Sequence, residues 1–534
     1  MPIRVSNLRL SIDETEAALV ERLASVLNLR REEIPHWRML RKSLDTRDKR
    51  DPSFVYSVEV QATADEGRLV EIAQRQRRGA NVELYVEPPF ELPPSGDRPL
   101  EHQPVVIGSG PAGLAAAVFL AEAGYRPLVL ERGREVRARI RDVKALEAGG
   151  EIDPESNYLF GEGGAGTFSD GKLTCRLTGP DVRRILELFA ESKGKPGVLY
   201  EHRPHLGSNR LPAVVKALRR RILAHGGEVR FECRVEDFDI ADGQLRGLHT
   251  SSGYLPANVA ILATGHSARD TFEMLLRRGV AMVQKPFQIG VRIEQLQEQV
   301  NRAQYGDARL EAKLGAADYT LVANGKHDLF SFCMCAGGQV IPSVSEPGCF
   351  CTNGMSLSHR ASPFANSGLM ITLDPSEFGG ADILAGMMLQ RKYEALAFEA
   401  GQRQYLCPIQ RADDFLARRM TRDKPASSYE RGVVPTALAA LLPPQVELAL
   451  RECLPQLDRR WRGRFLDGAT LVGPEARGSS PVRILRDKET FVAPGVEGLY
   501  PSGEGAGYAG GIVSAAVDGL RCAKAIIARY QALA

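Results

Sequence analysis

The chain has no apolar run approaching the ~20 residues that a membrane-spanning helix needs. It also has no marked excess of either charge: 25% of residues are charged and the net charge is +3. That balance gives no global attraction to nucleic acid or to an anionic membrane, and leaves only local patches to consider. The opening "MPIRVSNLRLSID" lacks the continuous apolar segment of a signal peptide, so a cytoplasmic location is expected. The nine cysteines, an odd number scattered over 534 residues, do not form a disulfide framework and suit reduced thiols. No repeat of fixed period is apparent. What is present is an ordinary 43% of hydrophobic residues in a chain too long for one core, which predicts about two to four domains.

Residues 1–86 read as a small α/β module. "IRVSNLRLSI" and "FVYSVEVQA" have strand patterns, and Glu14 to Leu27 has the apolar spacing of an amphipathic helix. Residues 87–103, "EPPFELPPSGDRPLEHQ", are proline-rich and suit an extended linker and not a packed element. From 104 to 269 strands and helices alternate: Leu211 to His225 reads as a helix, followed by the short strands "EVRFEC", "QLRGLHT" and "NVAILATG". Residues 270–485 look less regular, with strand-like runs such as "GLMITL" and a helical block near 381–402. They read as an insertion, with the nucleotide-binding unit resuming over 486–534. The expected class is α/β, a Rossmann-like domain with a β-meander, an inserted α+β substrate domain and the small N-terminal module.

The strongest single signal is "VVIGSGPAGLAAAVFLAEAGYRPLVLERG". An apolar strand runs into Gly108-x-Gly110-x-x-Gly113, then a helix, then a second strand ending at Glu131. The glycines permit a tight turn and close approach of a pyrophosphate, and the helix start, Pro111 and Ala112, offers free N–H groups. An acid at Glu131, followed by Arg132, is placed to bond ribose hydroxyls. Two further segments favour FAD as the dinucleotide. "VAILATG" closes a strand on Thr264-Gly265, where a bare backbone passes near the cofactor. "GLYPSGEGAGYAGGIVSAAVDGLRCAKAI" is a strand, a glycine-rich loop and a long helix. In it, Gly503 and Glu504 offer contacts to ribityl or ribose hydroxyls. The helix beginning near Gly510, Gly511 and Ile512 aims its dipole at the flavin pyrimidine. No second complete fingerprint is present, because "HGGEVRF" is a helix-end turn. NAD(P)H therefore enters only as a transient electron donor in the substrate cleft.

"GEGGAGTFSDGKL", "PHLGSNRL", "IGVRIE", "FCMCAGG", "TNGMS" and "GEGAGYAGGI" occur together in one chain. In combination the sequence resembles the bacterial FAD-dependent dehydrogenases or FAD-dependent proteins, whose substrates are largely undefined, within the glutathione-reductase-like flavoproteins. Gly503-Glu504 stands where that class usually has Gly-Asp, Ala336 where the family has proline, and Gln295-Leu296 where it tends to have His-Pro. Gly163, Gly164 and Gly166 of the first motif leave backbone amides bare. The resemblance implies that their loop folds over the flavin, with Thr167, Ser169 and Asp170 as polar contacts. The implied activity is oxidoreduction of a small organic molecule.

Catalytic candidates are Cys333, Cys335, His266 and Arg292. On a regular strand Cys333 and Cys335 share a face, and a hairpin would add Cys349 and Cys351 to make four sulfurs. Core residues, a pocket wall opened by Gly337-Gly338, a redox pair and a metal site all remain open for them. C-x-C spacing fits the last two poorly, and no metal is expected. His266 follows the Thr-Gly turn as an acid or base, or as a helix cap. Arg292 and Glu294 read either as cleft residues or as a plain pair, and His359, Arg360 and Asn366 as a carboxylate site or a solvated loop. The cations Arg38, Arg41, Lys42, Arg47, Lys49 and Arg50 are interleaved with Asp45, Asp48 and Asp51. They raise an alternative, an RNA-binding or RNA-modifying flavoprotein, against the plainer reading of a solvated face.

Overall fold

The computed structural model describes residues 1–49, 51–63, 65–76 and 79–533. Arg50, one of the interleaved cations, lies outside these residues.

The N-terminal module is a four-stranded antiparallel sheet in the order His36–Asp45, Ser53–Gln61, Ile3–Ser11, Asn81–Leu84. Helices Leu19–Leu27 and Glu66–Gln76 cover it. The first strand carries apolar residues at 3 and 5, then at 8 and 10, a break in the period of two. A bulge at Asn7, whose φ is 62°, takes up the extra residue, so Ile3, Val5, Leu8 and Leu10 all face the core.

Residues 87–103 are extended, but they are not a free linker. Phe90 lies 5.6 Å from the Phe119 ring and under Lys524, and the Gly96 amide donates to Ile527 O at 2.8 Å. The prolines keep the segment out of strands and helices, while its apolar side chains still bind the last helix.

A parallel five-stranded sheet follows, in the order Leu499–Pro501, Ala260–Leu262, Val105–Ile107, Leu128–Leu130, Glu228–Arg230. Its strands are short and its central ones apolar throughout because both faces are covered. Val106, Val129 and Ile261 face helices Pro111–Glu122, Pro180–Glu191, Leu211–Ala224 and Ile512–Ile527. Val105, Ile107 and Leu128 face the meander Val235–Ala241, Gln244–Thr250, Gly253–Pro256. The helices that begin at Pro111 and Ile512 meet closely: a Cβ on Gly519 would come within 2.0 Å of Ala112 O.

The stretch that looked less regular forms the largest sheet. Seven strands run in the order Val322–Ala323, Leu329–Cys335, Phe364–Leu373, Phe287–Leu296, Thr470–Glu475, Cys407–Arg411, Val433–Pro435. Ile289 to Gln295 are buried without a break, so the alternation that marks a half-exposed strand is absent there. Helix Pro444–Arg460 packs on this sheet, and no described helix is long and apolar enough to cross a membrane.

Candidate functional site

A chamber of about 420 Å³ lies at the carboxyl ends of the parallel strands, between that sheet and the seven-stranded one. This is where an open α/β sheet offers backbone amides to a ligand. Gly108 has φ of 100° and is pressed against Ala263 O, and a Cβ on Gly113 would sit 1.9 Å from Gly108 O. Gly110, Gly510 and Gly511 have open space where a Cβ would be. Gly110 and Gly511 are the N-caps of the two buried helices. Such a cradle suits a long phosphate-bearing ligand, held by main-chain donors and two helix starts.

Pro111, Ala112, Arg132, Thr264, Gly265, Gly503, Glu504 and Ile512 also line the chamber. Glu131 lines it too, but both its oxygens are engaged. They accept from Ser109 N (2.9 Å) and Oγ (2.6 Å), from Gly133 N (2.9 Å) and from Gly161 N (3.0 Å). Arg132 is held by Glu155 at 2.8 Å and Asp270 at 3.1 Å, over the Phe160 ring.

The loop "GEGGAGTFSDGK" is clamped rather than mobile on its surface. The fully buried Arg139 donates to the carbonyls of Asn157, Gly161 and Glu162, and Glu162 accepts from Val136 N at 2.7 Å. Gly164, Gly166, Ser169 and Asp170 reach the chamber. Gly163 and Thr167, expected at the cofactor, turn away from it. Thr167 donates to Glu162 O at 2.9 Å, and Gly163 packs on Thr167 and Val215. The loop's 3-10 turn, Gly164–Phe168, directs them inward.

Asp170 is buried and bonded to Lys172 at 2.6 Å and to His205 at 3.2 Å, with Ser356 donating to it. Despite burial, Lys172 and His205 hold its carboxyl well below the usual range. Lys172 was not singled out from the sequence, although it ends the quoted motif. Its ammonium donates to Met334 O, which brings it to the cysteine strand.

That strand does not place Cys333 and Cys335 as a regular strand would. The register slips between Phe332 and Cys335, and Cys333 has φ of 44°, a left-handed conformation uncommon outside glycine. Cys333 reaches the chamber, whereas Cys335 is buried and its thiol donates to Cys333 O at 3.3 Å. The Cys335 thiol, followed by Lys172 and Arg292, holds the Cys333 thiol well below the ordinary thiol range against burial. Cys335 is pushed up by Cys333 and by burial. Gly337 and Gly338 do not open the wall to a ligand. A Cβ on Gly337 would meet Arg360 O at 1.8 Å, and one on Gly338 would meet Met355 O at 2.5 Å, so their bareness serves packing.

The four sulfurs do not gather. Cys351 accepts from Ala476 N at 3.1 Å and Cys349 lies by Glu346. No group of three or more potential metal ligands occurs among the described residues. Arg292 is not a cleft residue but is fully buried. It binds Glu475 through Nε at 2.7 Å, Asn366 Oδ1 at 2.8 Å, Asn353 Oδ1 at 3.2 Å and Cys333 O at 3.1 Å. Glu294 instead accepts from Ser428. Two residues apart, both side chains lie on one face of the strand, and that face is covered.

His266 sits at the chamber with Nε2 3.2 Å from Arg477 O and Nδ1 3.6 Å from Glu504. Burial, with Arg477 nearby, pushes His266 down to about 4, and burial pushes Glu504 up to about 7. Arg477 itself is neutralised by Glu394 at 2.7 Å, which also takes Arg269 at 2.7 Å. No short motif announced this buried triad. Nor did one announce Asp518, which accepts from Gly503 N at 2.7 Å and pairs with Arg486 at 2.6 Å.

The cations of the N-terminal strand are largely answered. Arg38 pairs with Glu59 and Glu87, Lys42 with Glu16, Arg47 with Asp45, and Lys49 donates to Ala303 O. The module adds nothing in favour of an RNA reader.

Comparison with known proteins agrees with this geometry. Residues 106–166 match an NAD(P)-binding Rossmann-like domain, 167–321 an FAD dependent oxidoreductase, 286–478 the C-terminal domain-like region of FAD-dependent proteins, and 2–61 a domain of unknown function. The class is therefore that of the FAD-dependent oxidoreductases, and FAD is the cofactor. An uncharacterized protein from Clostridium beijerinckii is 39% identical over 99% of both chains, and this chain belongs to the same bacterial family of FAD-dependent proteins. The narrower glutathione-reductase-like assignment is not named by these matches. Thiamine thiazole synthase from Archaeoglobus fulgidus is 28% identical over 32% of this chain and 57% of that protein. A structure of glycine oxidase from Bacillus cereus aligns with a TM-score of 0.34 and 12% identity, over 80% of this chain and 95% of that one.

Proposed function

We propose that the protein oxidises or reduces a small organic substrate by hydride transfer, with FAD held in the 420 Å³ chamber. Bound there, FAD supplies two-electron chemistry at its N5. The observation that carries this reading is convergence. The Gly108–Gly113 turn, the Gly503–Ile512 segment and Cys333, far apart in sequence, line one cavity.

In this reading residues 104–269 and 486–534 are two parts of one FAD-binding domain. Residues 270–485 form the inserted substrate domain, 1–86 the N-terminal module and 87–103 its connection. The amides after Gly110 would hold the pyrophosphate, and the helix start at Gly511 and Ile512 would stabilise negative charge on the reduced flavin. Glu131 fixes the loop on which the ribose rests, since its four acceptor positions are already used. Ser169, Asp170, Thr264 and Gly265 complete the wall. Glu504, titrating near neutrality beside a neutral His266, is the group best placed to exchange a proton with substrate. NAD(P)H serves as a transient donor in the same cleft, in a protein of the cytoplasm.

The test is anaerobic mixing of the purified holoprotein with NADH, NADPH and fractionated metabolite pools while flavin absorbance is followed. Rapid bleaching by one component identifies the reductant. Protein that retains no flavin after reconstitution with FAD overturns the reading.

A further inference from the structure

A second cavity, of about 150 Å³, opens beside the chamber and shares Lys172, Thr174 and Cys333 with it. Its lining carries three cations, Lys172, Arg203 and Arg360, against one carboxylate, Asp318. Two of the cations are answered within the protein: Lys172 by Asp170 at 2.6 Å and Arg203 by Asp318 at 2.9 Å. Arg360 is different. Among the described residues no side chain pairs with it, and its Nε is shielded from solvent without a hydrogen-bond partner. The residue as a whole is half-buried and lines the cavity, so what the protein leaves unanswered there is the charge of its head group.

Nor is Arg360 a loose surface side chain. It follows the strand Thr352–Ser356 in a left-handed backbone conformation with φ of 49°, and its amide donates to Leu357 O at 3.0 Å. Its carbonyl is pressed onto Gly337, which has no room for a side chain. The glycine after the cysteine strand therefore seats the arginine at the second cavity. On this fixed backbone the unanswered guanidinium presents paired donors that match an oxyanion.

We infer that this side cavity is the subsite for an anionic group of the substrate, a carboxylate or a phosphate. Arg360 is its chief ligand, Lys172 and Arg203 stand in support, and the rest of the substrate passes Cys333 into the larger chamber. The side cavity admits little beyond the anionic group and a short carbon stem, so the substrate class is an organic acid or phosphate ester with its anion at one end. This rests on the flavin-dependent reading and assigns that site its substrate class.

The experiment is calorimetric titration of the holoprotein with acetate, pyruvate and inorganic phosphate at constant ionic strength, with acetamide as the neutral match. Flavin absorbance is recorded in parallel. Saturable binding of at least one anion is expected, with none of acetamide; the preference between carboxylate and phosphate identifies the group. Arg360→Ala should weaken anion binding by about tenfold or more, as expected for loss of a charge-assisted hydrogen bond of ~1.5–3 kcal/mol. Arg360→Lys should recover part of it. Both variants should keep wild-type flavin content and melting temperature. Equal binding of acetate and acetamide, no binding of any anion, or full affinity in flavin-replete Arg360→Ala would each overturn the inference. Should Arg360→Ala not fold, Arg360→Lys decides, since unchanged affinity for every anion there also overturns it. Loss of the flavin-dependent reading shows separately, as protein that folds and takes up no FAD, because calorimetry reads the anion without flavin.

Discussion

The two large sheets reach the same chamber with opposite chemistry. The five-stranded parallel sheet presents main chain. Its strands are only three residues long, and they feed glycine turns whose bare amides line the cavity. The seven-stranded sheet presents the Cys333 side chain above a buried charge pair, Arg292 on Glu475, and the segment just after its strand Thr470–Glu475 supplies Arg477, whose carbonyl holds His266. A cofactor shared by many enzymes is gripped by backbone, where an added methyl group is the main hazard. A particular substrate is met by side chains, where an unpaired charge is the main hazard.

That contrast yields variants of graded effect. Gly113→Val should be the most damaging, because its Cβ would lie 1.9 Å from Gly108 O with no side chain able to yield. A loss above ~4 kcal/mol is expected, together with loss of bound flavin. Chemical denaturation and flavin content of the purified protein measure these. If Gly113→Val retained full flavin, backbone crowding would not be what guards the first sheet.

Glu394→Ala comes next, since it leaves the buried Arg477 without a carboxylate and Arg269 with Glu346 alone. About 3–5 kcal/mol should be lost in denaturant unfolding, with a smaller loss for Glu394→Gln, which keeps the acceptors. Equal losses for the two would shift the emphasis from charge to packing.

A smaller effect is expected at Glu504. Burial raises its folded-state value from 4.5 to about 7, so the folded protein holds a proton that the unfolded chain releases. Its contribution to stability is full below the unfolded value and is lost as pH rises through the folded one. The melting temperature of the FAD-free protein should therefore fall between about pH 5 and about pH 8, and Glu504→Gln should flatten that slope. An unchanged slope in Glu504→Gln would assign the titration to another group.

The mildest probe is thiol alkylation. With the Cys335 thiol, Lys172 and Arg292 beside it, Cys333 should react with iodoacetamide several-fold faster below neutral pH than Cys351, whose thiol burial pushes up to about 12. Peptide mass spectrometry of briefly labelled protein reads the ratio. Equal rates would remove the distinction between the chamber thiol and the core thiols.

Legibility followed the same division. The dinucleotide turn, its helix and the Gly503–Ile512 segment were readable because each is contiguous and each residue type has a local reason. The inserted sheet was poorly readable, because a strand buried on both faces loses the period of two, as Ile289 to Gln295 do. Arg292 looked like a cleft residue only because an arginine is seldom found in a core. Glu475, its partner, is 183 residues away in the chain. Gly337 and Gly338 looked like an opening, yet they receive Arg360 and Met355 from a neighbouring strand and loop.

By itself the sequence determined that this is a dinucleotide-binding α/β protein of the FAD-dependent kind, since a tight turn, bare amides and helix starts depend on neighbours along the chain. Only the tertiary structure decided which charges cancel and which remain. Arg203, Arg292 and Arg477 each find a carboxylate far away along the chain, while Arg360 finds none among the described residues. Electrostatic matching depends on distance in space, and the order of residues along the chain does not state it.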